Sequence, residues 1–490
     1  MLALAVSIAF VSQSPDTSAA GLAKDYAILK QAYTALHPGL LRYNSQAQLD
    51  AHFAVLEMAW SRDQTLQEAF LFLSEFTAKI KCGHTYPNFF NQTEFTKKEL
   101  FERKDKVPFT FRWLDRRMFV TRDCTGSNLL PRGTEILSIN SVPVSTILNR
   151  LMGIARADGS NDAKRMDYLG VSGGGKYEAF DIYHPLYFPV KGNLFNFTVR
   201  KPGAETAQVE AGPISIGDRV EPNQPKVEKD SPLWSVEYPR DKVAVLKMPT
   251  WAMYNSSWNW RGFLKTTFAS LIEQGTPNLI IDLRGNEGGD SVGNSILPYL
   301  TDRPLPRESV RSLSRYQVVQ DDLRPYLDTW DKQFFDARAI TKPTGDGFFE
   351  VTRGGSSAAI RPAETLYKGK VFVLAGPANS SATFLFAKQV KQYSLATLVG
   401  QPTGGNQRGI TGGAFFFLRL PNSKLEVDLP LIAQFFPGSP PDAGIEPDVL
   451  VKPNARDVET GSDTEIERTF QIISSKNLPE RGTTALKLTE

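Results

Sequence analysis

Cysteine is nearly absent: Cys82 and Cys124 are the only two in 490 residues, enough for one disulfide or two free thiols and too few to identify a redox compartment. A surplus of one charge is lacking as well. With 56 basic and 53 acidic side chains the formal charge is +3, which gives no reason to expect a polyanionic partner and argues against nucleic acid. Beyond the opening residues no apolar run approaches the ~20 positions of a membrane span, so the mature chain is expected to be soluble, without a transmembrane segment. Close ligand clusters are missing. There is no H-E-x-x-H and no paired C-x-x-C, so no metal is expected, and neither G-x-G-x-x-G nor the Walker pattern occurs, so no cofactor is expected either. Repeats, low-complexity tracts and the G-x-S-x-G elbow of many hydrolases are also absent.

What is present is the composition of a folded chain, 41% apolar and 22% charged, of a length that calls for two or three domains. The opening MLALAVSIAFVSQSPDTSAAG carries an apolar stretch of about ten residues and then small ones, but no basic n-region. Residues 1–20 read as an export signal to the periplasm or the cell exterior, with an ordinary buried segment as the alternative. Residues 21–100 are expected to be helical, since apolar positions recur at helical spacing in DYAILKQAYTAL and LQEAFLFLSEFTAKI. From Val107 the period shortens to that of strands in VPFTFRW, RRMFVTR and GTEILSINSVPV, the last reading as strand, turn and strand. STILNRLMGIARA then places Ile147, Leu148, Leu151 and Ile154 on one helix face, with Ser145 as the expected N-cap. Residues 216–232 end a stretch rich in Pro, Gly and Glu and read as a linker. From 233 to 455 near-continuous apolar strands alternate with amphipathic helices, the pattern of an α/β core with a sheet buried on both faces. Within it, residues 301–366 look like a polar insertion with one helix near DDLRPYLDTWDKQFF, and residues 456–490 look like a C-terminal tail.

Two strand-to-turn junctions carry the chemistry. In VFVLAGPANSSATFLFAKQV a buried strand breaks at Gly376 and Pro377, and Ser380 and Ser381 stand where a helix begins. A serine there is exposed beside free helix amides that stabilise developing negative charge, although serine is also a common N-cap, and the local pattern leaves both open. In LIIDLRGNEGGDS the glycines Gly285, Gly288 and Gly289 allow a tight turn that presents backbone amides, as half of an oxyanion hole or as a plain turn. Asp282 and Arg284 read as a structural ion pair. A serine nucleophile needs a base, and histidine is the usual one. Of the four, His84 in KCGHTYP follows a helix in a loop able to face a cleft, His37 in LHPGL looks like helix-end packing, and His52 lies within a helical pattern. Cys82, two residues before His84, reads as a buried, inert thiol. Glu446 in PPDAGIEPDVLV could orient an imidazole or be a solvated turn acid.

Taken in order, LIIDLRGNEGG, GPANSSATFLFAKQV, TLVGQPTGGNQRG and GIEPDV resemble the C-terminal processing (tail-specific) serine peptidase family, over a span from LHPGL to about residue 452. The resemblance implies a multidomain α/β fold: a crotonase/ClpP-like peptidase core, a helical N-terminal region carrying His84 and a PDZ-like module over residues 101–215, with GTEILSINSVPV its recognisable part. One branch of the family uses a Ser-Lys dyad with the lysine 25 residues after the serine, where this chain has Asn406. A second branch, similar to tricorn-like peptidases, takes a histidine from upstream and a glutamate from downstream. By that likeness Ser381, which precedes the small Ala382, is the nucleophile, His84 the general base and Glu446 its orienting acid, while Ala382 and Gly288 or Gly289 supply backbone N–H groups to the oxyanion. The implied activity is serine endopeptidase cleavage of protein or peptide substrates, with the PDZ-like module holding a terminal carboxylate. The rival readings are a catalytically silent peptide-binding protein and a crotonase-type acyl-CoA enzyme.

Overall fold

The structure is a computed structural model that describes residues 14–190, 192–219, 230–306, 310–353 and 359–475. Most of the expected export signal and of the expected linker therefore lies outside the described residues. The N-terminal helices form where the periodicity places them, at Ala19–Leu36, Gln46–Ala59 and Leu66–Lys79. Their starts are fixed by side chains. Ser18 accepts from the Gly21 N–H, and Ser45 with Gln48 and Thr65 with Glu68 make reciprocal capping boxes. After the third helix Lys81 turns the chain at φ 59°, and His84 follows in the loop.

An antiparallel sheet comes next, with Phe109–Leu114, Arg117–Asp123, Glu135–Ile139, Phe195–Arg200 and Thr206–Ala211 in spatial order and Val142–Pro143 folded onto Glu135–Ile139. The expected strand, turn and strand is present, and its corner residues Asn140 and Ser141 both take positive φ (50° and 66°), as a two-residue hairpin requires. The helix Val144–Met152 buries Ile147, Leu148 and Leu151 as expected, and Ile154 just beyond it is buried too. Its start differs from the expectation. Ser145 lies inside the helix and the cap position belongs to Pro143, whose fixed φ of −56° leads directly from the hairpin into the first turn.

Residues 301–366 are not a separate excursion. Their short strands Arg311–Ser314, Leu327–Asp328, Thr341–Pro343 and Phe349–Val351 join the long hairpin Thr411–Arg419 and Glu426–Phe435 in a second, antiparallel sheet. The helix expected near residues 321–335 is two 3-10 turns, Arg324–Tyr326 and Lys332–Phe335. Pro325 donates no N–H, and the Thr329 and Asp331 side chains accept from the Asp331 and Gln333 amides, stabilising turns in place of helix. This sheet, the N-terminal helices and the first sheet share one continuous core.

The third sheet runs in the order Val449–Leu450, Thr397–Gly400, Lys370–Ala375, Asn278–Asp282, Val243–Lys247 and Ser235–Arg240, all parallel except the last edge strand. Alternation sends Leu246, Ile281 and Val373 to one face, with Leu264, Phe268, Ile296, Phe384 and Phe386 of three helices. Val245, Ile280 and Phe372 face the other side, where Phe470 and Ile472 cover them. Those two belong to the helix Thr464–Ser474, so much of the expected tail is part of the core. Burying Phe470 alone contributes roughly 1.5–3 kcal/mol. Arg284 fastens this helix to the sheet, pairing with Asp282 (2.7 Å), Asp463 (2.6 Å) and Glu465 (2.7 Å), a structural knot of the kind expected for Asp282 and Arg284. Among the described residues no helix is long and apolar enough to cross a membrane, and both cysteines are free thiols.

Candidate active site

The strand Lys370–Ala375 and the helix Ser381–Gln392 are joined by a turn held by one side chain. Asn379, fully buried, accepts from the Gly376 N–H (2.8 Å) and donates to the carbonyls of Leu283 (2.6 Å) and Asn286 (3.0 Å), tying this turn to the glycine turn of the neighbouring strand. Ser380 occupies the N-cap position without capping; its Oγ donates instead to the Glu287 carbonyl (3.1 Å). Ser381 is the first helical residue and takes φ 51°, a left-handed conformation that costs a non-glycine residue about 1–2 kcal/mol. Such strain at a strand-to-helix corner pushes the side chain out from the turn, which is how a hydroxyl is presented at the head of a helix without the G-x-S-x-G pattern.

The glycine turn packs directly against this corner. A Cβ on Gly288 would lie 2.9 Å from Ser381 Cβ, from the Ala382 nitrogen and from the Ser380 oxygen, so a side chain at Gly288 is excluded by backbone. Gly288 and Gly289 also take φ of 103° and 133°. The two differ in what their amides do. Gly288 N–H is taken by the Asn286 side-chain oxygen (3.0 Å), whereas Gly289 lies so close to Trp251 that a Cβ would be 2.3 Å from its carbonyl carbon and oxygen.

His84 reaches the neighbourhood from the N-terminal region. Its half-buried ring lies over Gly412, whose added Cβ would sit 3.6 Å from Nδ1 and Cε1, and tilts against Phe415 at 5.9 Å. Nδ1 is buried with no hydrogen-bond partner among the described residues. Burial depresses the His84 pKa below the ordinary histidine value; the Asp158 charge opposes this, Arg156 adds to it, Glu287 opposes it and Lys164 adds to it. The ring is therefore neutral near pH 7, the state a base needs. The other histidines are elsewhere: buried His37 caps the first helix and meets the Thr85 hydroxyl through Nε2 (2.9 Å), and His184 stacks on Phe180.

Ser381, Ala382 and Gly288 are thus brought into contact, and His84 shares its electrostatic surroundings with Glu287 of the same turn. Glu446 is not brought to them. It is exposed, and its carbonyl accepts from Lys391 Nζ (2.6 Å), ten residues and about 15 Å of helix beyond Ser381. The motif position was readable, but GIEPDV turns its acid to solvent. The carboxylates acting on His84 are those of Asp158 and Glu287, and neither was singled out from sequence. Glu287 was visible inside RGNEGG; Asp158 sits in ARADGSND, where nothing but a turn is legible. Glu287 is held down at about 2: burial works against ionisation, but the charges of Lys164 (2.5 Å) and Arg156 (3.1 Å) prevail.

Comparison with known proteins bears on this arrangement. Residues 242–451 match the profile of Peptidase family S41. No curated protein sequence matches the chain. Among solved structures the fold is similar to that of mature CPAF complexed with lactacystin, at 17% identity and a TM-score of 0.63, covering 93% of this chain and 98% of that one. A CPAF mutant gives 16% identity and 0.63, covering 95% and 99%.

Proposed function

We propose that the chain is a serine peptidase that hydrolyses peptide bonds of protein substrates through an acyl-enzyme on Ser381, as the match of residues 242–451 to peptidase family S41 supports. The observation that carries this reading is Ser381 at the head of its helix with φ 51° and the Gly288 backbone packed against it. His84 takes the Oγ proton as Oγ bonds to the substrate carbonyl carbon. The oxyanion meets the N–H of Ala382, in the first helical turn, and that of Gly289, since Gly288 N–H already serves Asn286. The C–N bond breaks as His84 returns the proton to the leaving amine, and water, deprotonated by His84, releases the acyl group as a carboxylic acid. Asp158, not Glu446, supplies the charge that favours the transient imidazolium. The antiparallel unit at residues 107–211 acts as the PDZ-like module, adding an extended substrate C-terminus to its sheet, and the N-terminal segment serves export.

Labelling with a fluorophosphonate probe tests the assignment. Wild type and Ser380→Ala should be labelled at Ser381, and Ser381→Ala should fold, resist the probe and fail to digest casein. Undiminished labelling of Ser381→Ala at another serine would refute it.

A further inference from the structure

The segment Arg156–Lys164 belongs to the antiparallel unit, not to the S41 domain, yet it touches each part of the candidate site. Arg156, 16% exposed, donates from Nη1 to the Gly83 carbonyl (2.6 Å) and from Nη2 to Glu287 Oε2 (3.1 Å). Its guanidinium lies over the Tyr86 ring (4.3 Å) and the Tyr168 ring (4.7 Å). Asp158, buried, accepts the Gly83 N–H (2.9 Å), so the residue before His84 is held by both its amide and its carbonyl. The Gly159 N–H meets the Lys81 carbonyl (2.8 Å), completing the grip on the base loop. Lys164 takes the other Glu287 oxygen (2.5 Å) and the Ala378 carbonyl (3.1 Å), two residues before Ser380. Asn161 donates to the Thr403 and Gly405 carbonyls, both at 2.9 Å.

We infer that Arg156 is a positioning residue that couples the His84 loop to the glycine turn, so that general base and oxyanion donors are aligned only while this segment of the antiparallel unit is docked. Contacts from both Nη1 and Nη2 of one guanidinium need its planar fork, which a lysine ammonium lacks. The inference rests on the peptidase reading for its consequence in rate, but not for its consequence in structure.

The test compares Arg156→Gln and Arg156→Lys in the full chain by amide hydrogen exchange and by kinetics. Peptides covering residues 82–86 and 285–289 should both lose protection, while Leu66–Lys79 and Lys370–Ala375 keep theirs. Acylation by the fluorophosphonate should slow about 10–100-fold in both variants, since displacement of a reacting group by about 1 Å costs on that order. Around His84 the charged groups are Asp158, Arg156, Glu287 and Lys164; losing the Arg156 charge should move the acid limb of acylation to higher pH in Arg156→Gln and leave it in place in Arg156→Lys. Should Arg156→Gln fail to fold, Arg156→Lys alone decides. Protection lost in one loop only, or in neither, overturns the coupling. If wild type is not acylated at Ser381, the peptidase reading falls, and the exchange data still decide whether Arg156 joins the loops.

Discussion

The glycine turn offers a perturbation whose outcome can be worked out position by position. Gly285 and Gly289 belong to one turn, both with positive φ (78° and 133°). An added methyl at Gly285 meets nothing within 4 Å, so Gly285→Ala carries only the conformational cost of a left-handed alanine, about 1–2 kcal/mol. At Gly289 the methyl would be 2.3 Å from the Trp251 carbonyl carbon and oxygen and 2.4 Å from the Ala252 nitrogen. These are backbone atoms and cannot swing aside, so the turn must retreat by about 1 Å to restore ordinary contact, taking the Gly289 N–H away from the oxyanion. Loss of one such donor costs about 10²–10³ in rate. Acylation by the fluorophosphonate and thermal unfolding should therefore separate the two variants. Gly285→Ala should melt a few degrees lower and react within about threefold of wild type, whereas Gly289→Ala should react at least about 100-fold more slowly at temperatures where it is folded. A folded Gly289→Ala protein that acylates at the wild-type rate would refute the role of this turn.

The acid limb of kcat/KM for casein peptides should lie below pH 6.5, because burial lowers the His84 pKa and the neutral ring is the active form. Glu446→Gln should leave limb and rate unchanged, whereas Asp158→Asn, which removes a charge favouring the imidazolium, should move the limb lower and slow the reaction; the reverse ranking would restore Glu446 as the partner. A second pH dependence concerns stability. Asp428, buried beneath Asn88 and Asn91, has its carboxyl pushed up to about 7 by burial, against the two amide hydrogen bonds. Because the folded value exceeds the unfolded one, its contribution is present in full below the ordinary carboxylate range and is lost as pH rises through about 7. Urea unfolding from pH 4 to 8 should show a decline that Asp428→Asn flattens; an unchanged slope would mean the carboxyl does not titrate there.

The junctions of the candidate site were legible because their signals are local. Ser381, the glycine turn and the His84 loop each stand at a junction where hydrophobic period changes, and a short window shows it. The buried parallel strands were legible for the same reason. The second sheet was hidden because its contributions from residues 311–351 are two to four residues long, too few to establish a period. The segment Arg156–Lys164 was hidden because its hydrogen-bond partners on the base loop, the glycine turn and the core lie between 73 and 282 residues away and no spacing rule links them. Asn406 shows how the two kinds of information meet. Sequence shows only that the dyad lysine is missing there. In the structure Asn406 is fully buried, donates to Asp442 Oδ1 (2.6 Å) and the Asp158 carbonyl (3.2 Å), and accepts from the Arg408 N–H (2.9 Å). A Cβ on Gly159 would be 2.3 Å from its Nδ2, so the space is already full. The position where the resemblance would place a dyad lysine is here a tether on the segment that carries Arg156 and Asp158. That packing explains why Asn406 cannot be read from sequence as more than a missing lysine, while the tether it forms is visible only across the fold.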